Sequence, residues 1–273
     1  MTPEKDKLNA LLSLLQDDNL KVVSLAMEQF LKLGRIAETT IAEHQDSSDP
    51  QLRARIHQLS NIMARRRDRQ RFLQAVSSEA MSLWEGICRI NALYDPRFSR
   101  RNVHRHINRM ASELGPGKIT SAALASLMRN HEFAVPSDDL LDVDLYLVEQ
   151  VLETKYGSPP LLCVLAAHLG GAAGWSASIV LYQGRFCLMD AHNLLLDPGA
   201  GWRITRLKGA DKIHPCGKKD VWLGVLAQLF LVTLVEGYLR DLHHFGDLLT
   251  ALNGGSLEKL PYPLGEDQQE APL

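Results

Sequence analysis

The stretch from Val151 to Pro198, VLETKYGSPPLLCVLAAHLGGAAGWSASIVLYQGRFCLMDAHNLLLDP, constrains the fold more than any other part of the chain. A helix is expected to end near Tyr156. Gly157-Ser158-Pro159-Pro160 makes a turn, and prolines are tolerated where a helix begins. Leu161 to Leu169 is a mostly apolar, Ala-containing stretch that predicts a buried helix, with a glycine-rich break at Gly170-Gly171. Ser176 to Tyr182 predicts a strand that Gly184 interrupts and Arg185 to Met189 continues. Asp190-Ala191-His192-Asn193 supplies turn chemistry, and Leu194 to Pro198 predicts a second, shorter strand. The order is helix, strand, strand.

That order, with these residues, resembles the core of transglutaminase-like proteins, and more closely the bacterial SirB-type branch. The branch has a VLE-x-x-x-G-x-P stretch before the core helix, a P-G-H-F strand and a D-P-F strand end. The matching residues here are Val151-Leu152-Glu153 with Gly157 and Pro159, then Gly184 and Phe186, then Asp197-Pro198. The resemblance extends outward to the N-terminal helices and the C-terminal helix. It implies an α+β fold, mostly helical, in which a small antiparallel sheet packs on the core helix and N-terminal helical pairs are added.

In transglutaminase-like enzymes a Cys near the start of the core helix is the nucleophile. A His on the first strand is its base, and an Asp on the next strand orients the His, by the usual logic of such triads. Here the nucleophile position falls on Pro160 or Leu161, the His position on Arg185, and only Asp197 fits. Arginine is permanently charged and carries no acceptor, so it cannot take a proton from a thiol. The resemblance therefore implies a lost triad and a binding or scaffolding role. Arg185 and Asp197 would pair by charge-assisted hydrogen bonds, or Arg185 would offer its fork to a small anionic ligand or a protein partner. The cleft would comprise Leu161, Arg185, Cys187 and Asp197.

The alternative is an active cysteine hydrolase or acyl transferase. It would use Cys163 or Cys187, with His192 or His168 as base and Asp197 beside it. Cys163 lies two residues after Leu161, roughly 200° around a helix, and is expected to point away from the site as a small buried hydrophobe. Cys187 shares a strand face with Arg185. His192 sits in a turn and is expected to face solvent.

Before this core, short helices are expected over residues 5–16, to Leu33, over 36–44 and from Pro50. Asp18 to Leu25 lines up with Asp49 to Ile56, which resembles HEAT-type helical pairs, the alternative being two ordinary antiparallel helix pairs with similar caps. Ala64 to Arg71 is strongly basic and reads as a solvated helix end or linker, marking a junction. The expected organisation is a HEAT-like region over 1–70, a transglutaminase-like domain over 71–255, and a disordered tail over 256–273. Further helices are expected over 80–93, 101–114 and 121–133. After Pro198, Trp202 to Leu207 is a candidate third strand and Lys208 to Lys219 a loop. Asp220 is expected to cap one long helix running to His243, followed by a last turn or two over 245–252.

Hydrophobic residues make up 45% of the chain, charged residues 23%, and the net charge is −2, so nothing favours a nucleic-acid partner. Val221 to Tyr238 holds Gln228 and Glu236 and is too short and polar for a membrane span. The N-terminal residues lack an apolar signal region. Cys88, Cys163, Cys187 and Cys216 form no C-x-x-C pair, so free thiols and a cytoplasmic location are expected. His104 and His106 are two apart on a predicted helix and make no zinc pair. No phosphate loop, dinucleotide fingerprint, H-E-x-x-H or G-x-S-x-G motif occurs, and no cofactor or metal is expected.

Overall fold

A computed structural model describes residues 3–78, 80–115, 119–137, 141–209 and 211–255. The chain divides between Arg71 and Phe72 into two compact units.

The first unit contains α1 (Pro3–Leu14), α2 (Leu20–Leu33), α3 (Arg35–Glu43) and the greater part of α4 (Pro50–Ser77). Polar caps start two of these. Asn19 accepts from the Lys21 N–H, and Asp49 accepts from the N–H groups of Gln51 and Leu52, filling donors that a helix start leaves open. Leu11, Leu15, Phe30, Ile41, Ile56 and Leu59 are among the side chains that close its core. The Arg55 guanidinium donates to the carbonyls of Leu15 and Asp17, tying α4 to the end of α1. The basic run from Ala64 to Arg71 is neither a helix end nor a linker, because α4 passes through it unbroken for 28 residues. Ala, Arg and Gln are good helix formers. Two arginines of the run meet nearby carboxylates, Arg67 with Glu38 and Arg71 with Asp68, each at 3.5 Å.

The second unit is α+β and mostly helical, with one small antiparallel sheet. Its helices are α5 (Leu83–Tyr94), α6 (Arg100–Glu113), α7 (Ser121–Asn130), α8 (Val148–Thr154), α9 (Pro159–Ala172), α10 (Lys218–Glu236) and α11 (Leu239–Asn253). Its strands are β1 (Ala177–Tyr182), β2 (Arg185–Asp190), β3 (Leu194–Asp197), β4 (Arg203–Arg206) and β5 (Ile213–Pro215), in the order β4-β3-β2-β1-β5.

Helix α9 is the centre. Its first turn carries Pro159 and Pro160, and Leu161 through Ala166 are all buried. It does not break at Gly170-Gly171 but continues to Ala172. Gly170 is there for packing, since a Cβ at that position would lie 2.5 Å from the Trp175 ring. The sheet lays Ile179, Leu188 and Leu196 into the same core as α9.

The expected single strand interrupted by Gly184 is instead a hairpin. Gln183 and Gly184 both have positive φ, 50° and 77°, the backbone of a two-residue turn. Tyr182 pairs with Arg185, and β1 and β2 run antiparallel through six residue pairs. Within the expected loop over 208–219, Ile213–Pro215 adds to β1 as β5. The expected helix from Asp220 to His243 is two helices, because Gly237 adopts a left-handed conformation (φ 74°) and ends α10. Asp220 sits inside α10 and accepts from the Gly217 N–H at 2.7 Å. The last expected turn or two is the long helix α11, and the expected disordered tail lies outside the described residues. Among the described residues no helix is long and apolar enough to cross a membrane.

The face of the sheet away from α9 carries a second, small cluster of Val180, Cys187 and Leu195, bordered by Tyr182, Met189 and Leu207. Strands β4 and β5 lie at opposite edges and run in the same direction. Leu207, directly after β4, packs on this cluster.

Candidate functional site

The site grows from two strand ends. Arg185 opens β2 directly after the hairpin turn, and Asp197 closes β3 before the helical turn Pro198–Ala200. Leu188 pairs with Leu196, so alternation puts Arg185, Cys187, Leu195 and Asp197 on the sheet face away from α9. The Arg185 guanidinium forms an ion pair with Asp197, Nη2 lying 3.2 Å from Oδ2, with the Arg185 side chain 49% exposed and the Asp197 side chain 9%. The other oxygen, Asp197 Oδ1, is buried without a hydrogen-bond partner. Gly199 leaves it room, since a Cβ there would come within 3.3 Å.

The cysteines next to this pair are disfavoured as thiolates. Cys187 is fully buried. Burial pushes its thiol up to about 12; the Asp197 carboxylate adds to this and Arg185 offsets part of it. Cys163, also 0% exposed, lies in the α9 core. Burial raises its thiol well above the ordinary range, with Cys187, Asp197 and Cys216 contributing in the same direction. Leu161 is buried in that same core, on the α9 side of the sheet. Buried thiols with raised pKa are poor nucleophiles.

The candidate bases lie elsewhere. His168 stacks on Trp84 with ring centroids 4.4 Å apart and planes 7° apart, and burial, helped by His104, lowers its pKa. His192 is exposed in the β2–β3 turn, where its backbone N–H donates to Asp190 Oδ1 at 2.8 Å. Among the described residues no histidine hydrogen-bonds to Cys163 or Cys187 and none pairs with Asp197. Nor do three His, Cys, Asp or Glu side chains gather there in a way that would hold a metal ion.

Two polar groups carry more structural weight than their sequence context signals. Asp190 is buried. Its Oδ1 accepts from the N–H groups of His192 and Leu194, and the Ser121 hydroxyl donates to its Oδ2. Burial opposes its charge, but the Ser121 hydroxyl and the Leu194 and His192 amides outweigh it and hold the carboxyl below its usual range. The signal in the sequence was the Asp-Ala-His-Asn turn; the Ser121 partner, 69 residues away, carried none. Ser158, the residue before α9, is also fully buried, and its hydroxyl makes no capping bond and has no partner.

A search of curated proteins and a search of solved structures gave no match. Residues 99–215 match the profile of the transglutaminase-like superfamily. The matched segment begins at Ser99, which caps α6, and ends at Pro215, the last residue of β5. It contains α9, the whole sheet and the Arg185–Asp197 pair. Residues 99–215 are a domain of the transglutaminase-like superfamily.

Proposed function

We infer that the protein is a non-catalytic relative of the transglutaminase-like enzymes, of the SirB-type branch, that works by binding or scaffolding. In this reading residues 1–70 are HEAT-like helical pairs that serve as a docking surface, and 71–255 form the transglutaminase-like part. The observation that carries it is the Arg185–Asp197 ion pair. A triad needs a proton acceptor beside the carboxylate, and the group beside this one is a guanidinium, which has no acceptor. The raised pKa values and full burial of Cys163 and Cys187 support the same reading.

The ligand the site would take is a small carboxylate or a carboxylate-bearing peptide from a protein partner. Arg185 is half-exposed, and a guanidinium whose planar fork has N–H groups to spare suits such a group. Cys187 and Leu161 are closed off, so Arg185 is the solvent-facing part of the site.

The test has two arms on the full chain. Ester, amide and acyl-transfer substrates are assayed with the native protein and with Cys163→Ala and Cys187→Ala. Succinate binding is measured by calorimetry with the native protein and Arg185→Gln. The expected result is no turnover in any form, and succinate binding that Arg185→Gln abolishes. Turnover that either cysteine variant removes would overturn the non-catalytic reading. Succinate binding unchanged in Arg185→Gln would sink the ligand assignment.

A further inference from the structure

Helix α6 presents a cationic face that its surroundings do not compensate. Between Arg97 and Arg109 the chain has five arginines and two histidines and no acidic residue. Two of the arginines are paired, Arg97 with Asp95 at 3.2 Å and Arg100 with Glu85 at 2.8 Å. Arg101, Arg105 and Arg109 are exposed, and their side chains make no ion pair or hydrogen bond among the described residues. At a spacing of four residues they form a stripe roughly 12 Å long on one side of the helix. The opposite side is fixed by Val103, Ile107 and Met110 in the core, so the stripe sits on a rigid support.

The same unit carries an uncompensated patch of the opposite sign. Asp142, Asp144 and Glu236 are exposed and have no cationic partner among the described residues. They are close enough to disturb one another. Burial and then Asp142 raise the Asp144 carboxyl, and burial, Asp142 and Asp144 raise that of Glu236. Beside Glu236 the last turns of α10 expose Leu231 and Val235 (67%), four residues apart, and Tyr238 (56%) is exposed just after the Gly237 stop. An exposed apolar stripe bordered by unpaired charge is a common mark of an interaction surface.

We propose that the unit associates with a second copy of the chain, the Arg101–Arg105–Arg109 face of one copy seating on the acidic, apolar end of α10 in the other. Three guanidinium groups meet three carboxylates, and the aliphatic stems of the arginines cover the apolar stripe. A guanidinium over the Tyr238 ring adds a cation–π contact. Arginine and tyrosine are residue types enriched in interfaces. Each copy offers both surfaces, and two reciprocal contacts would close a symmetric dimer. A nucleic acid is the poorer occupant. The exposed side of α6 lacks interleaved aromatic rings on which bases would stack, and the chain as a whole is net negative. The proposal does not depend on the reading of the Arg185 site.

The experiment is sedimentation velocity of the full chain over a dilution series at low and high salt. It is run on the native protein, on Arg101→Glu/Arg105→Glu/Arg109→Glu and on Asp142→Lys/Asp144→Lys/Glu236→Lys. Circular dichroism and thermal melts check that each variant is folded. Should a triple variant not fold, Arg105→Glu and Glu236→Lys replace it. The native chain is expected to dimerise at low salt and to dissociate as salt rises. Each variant alone is expected to be monomeric, and an equimolar mixture of the two to regain the dimer. A native chain that stays monomeric at every concentration overturns the proposal. So does a dimer that either folded variant leaves intact, a mixture that fails to recover, or a single-stranded oligonucleotide that binds the α6 face of the native monomer.

Discussion

Brief alkylation of the native chain at pH 8 should leave Cys187 and Cys163 unmodified while Cys216 reacts. The perturbation is iodoacetamide, which attacks thiolate, and the expected protection follows from the thiolate fraction. A thiol with the ordinary pKa of about 8.5 is roughly one quarter thiolate at pH 8. A thiol pushed up to about 12, as Cys187 is, holds roughly one part in ten thousand. The chemical factor alone is therefore about a thousandfold, before any exclusion of reagent by the residues that bury the thiol. Burial drives the Cys163 thiol in the same direction. Cys216 is only half-buried and should be the fastest of the four, with Cys88 slow because burial raises its thiol to about 12. The assay is quenched iodoacetamide labelling between pH 7 and pH 10, read by peptide mass spectrometry, with the urea-unfolded chain as reference. Labelling of Cys187 or Cys163 at pH 8 within about tenfold of the unfolded rate would refute the argument and reopen the cysteine-enzyme reading.

Arg185→Ala should lower stability by about 1–3 kcal/mol in urea titrations at neutral pH, because it strands a buried carboxylate, the figure being held down by the half-exposure of Arg185; no change would mean that solvent already screens Asp197. Asp190 has a folded pKa below its unfolded value of about 3.9. Its contribution to stability is therefore present above that unfolded value and lost as pH falls through the folded one. Asp190→Asn should flatten the acid limb of stability against pH, and an unchanged limb would contradict the assigned hydrogen bonds. Gly86→Ala should cost about 1–3 kcal/mol by overpacking, since its Cβ would lie 2.2 Å from the Trp222 indole; a melting temperature equal to the parent's would show that Trp222 can move aside.

The core helix and its following strands were legible because each signal was local: a proline-led start, an unbroken apolar run, a turn tetrapeptide. What escaped was set by distant neighbours. Gly170 reads as a breaker in isolation, and only the Trp175 ring explains why the helix runs on through it. Gln183-Gly184 is a tight hairpin turn, but glutamine is an unusual residue at positive φ, so the two strands merged into one. Ile213–Pro215 is three residues with a proline and becomes a strand only because β1 offers it an edge. The arginines of α6 make no run in the sequence because other residues separate them, whereas most of those in α4 are clustered within eight residues. At the site, Asp197 and Arg185 were found by position, and their pairing is geometry that residue identity allowed. The unpartnered hydroxyl of Ser158 had no signal at all.

The strand order has a consequence for how other chains can approach the sheet. One border is β4, with Arg203 and Arg206 exposed. The other is β5, three residues long and ending in Pro215, which has no N–H to give. Short length, charge and proline are the means by which natural sheets stop neighbours from adding a strand. Neither border is a template for backbone pairing, and the sheet resists growing into a fibre. Any partner of this domain has to recognise side chains and cannot bind by lengthening the ladder.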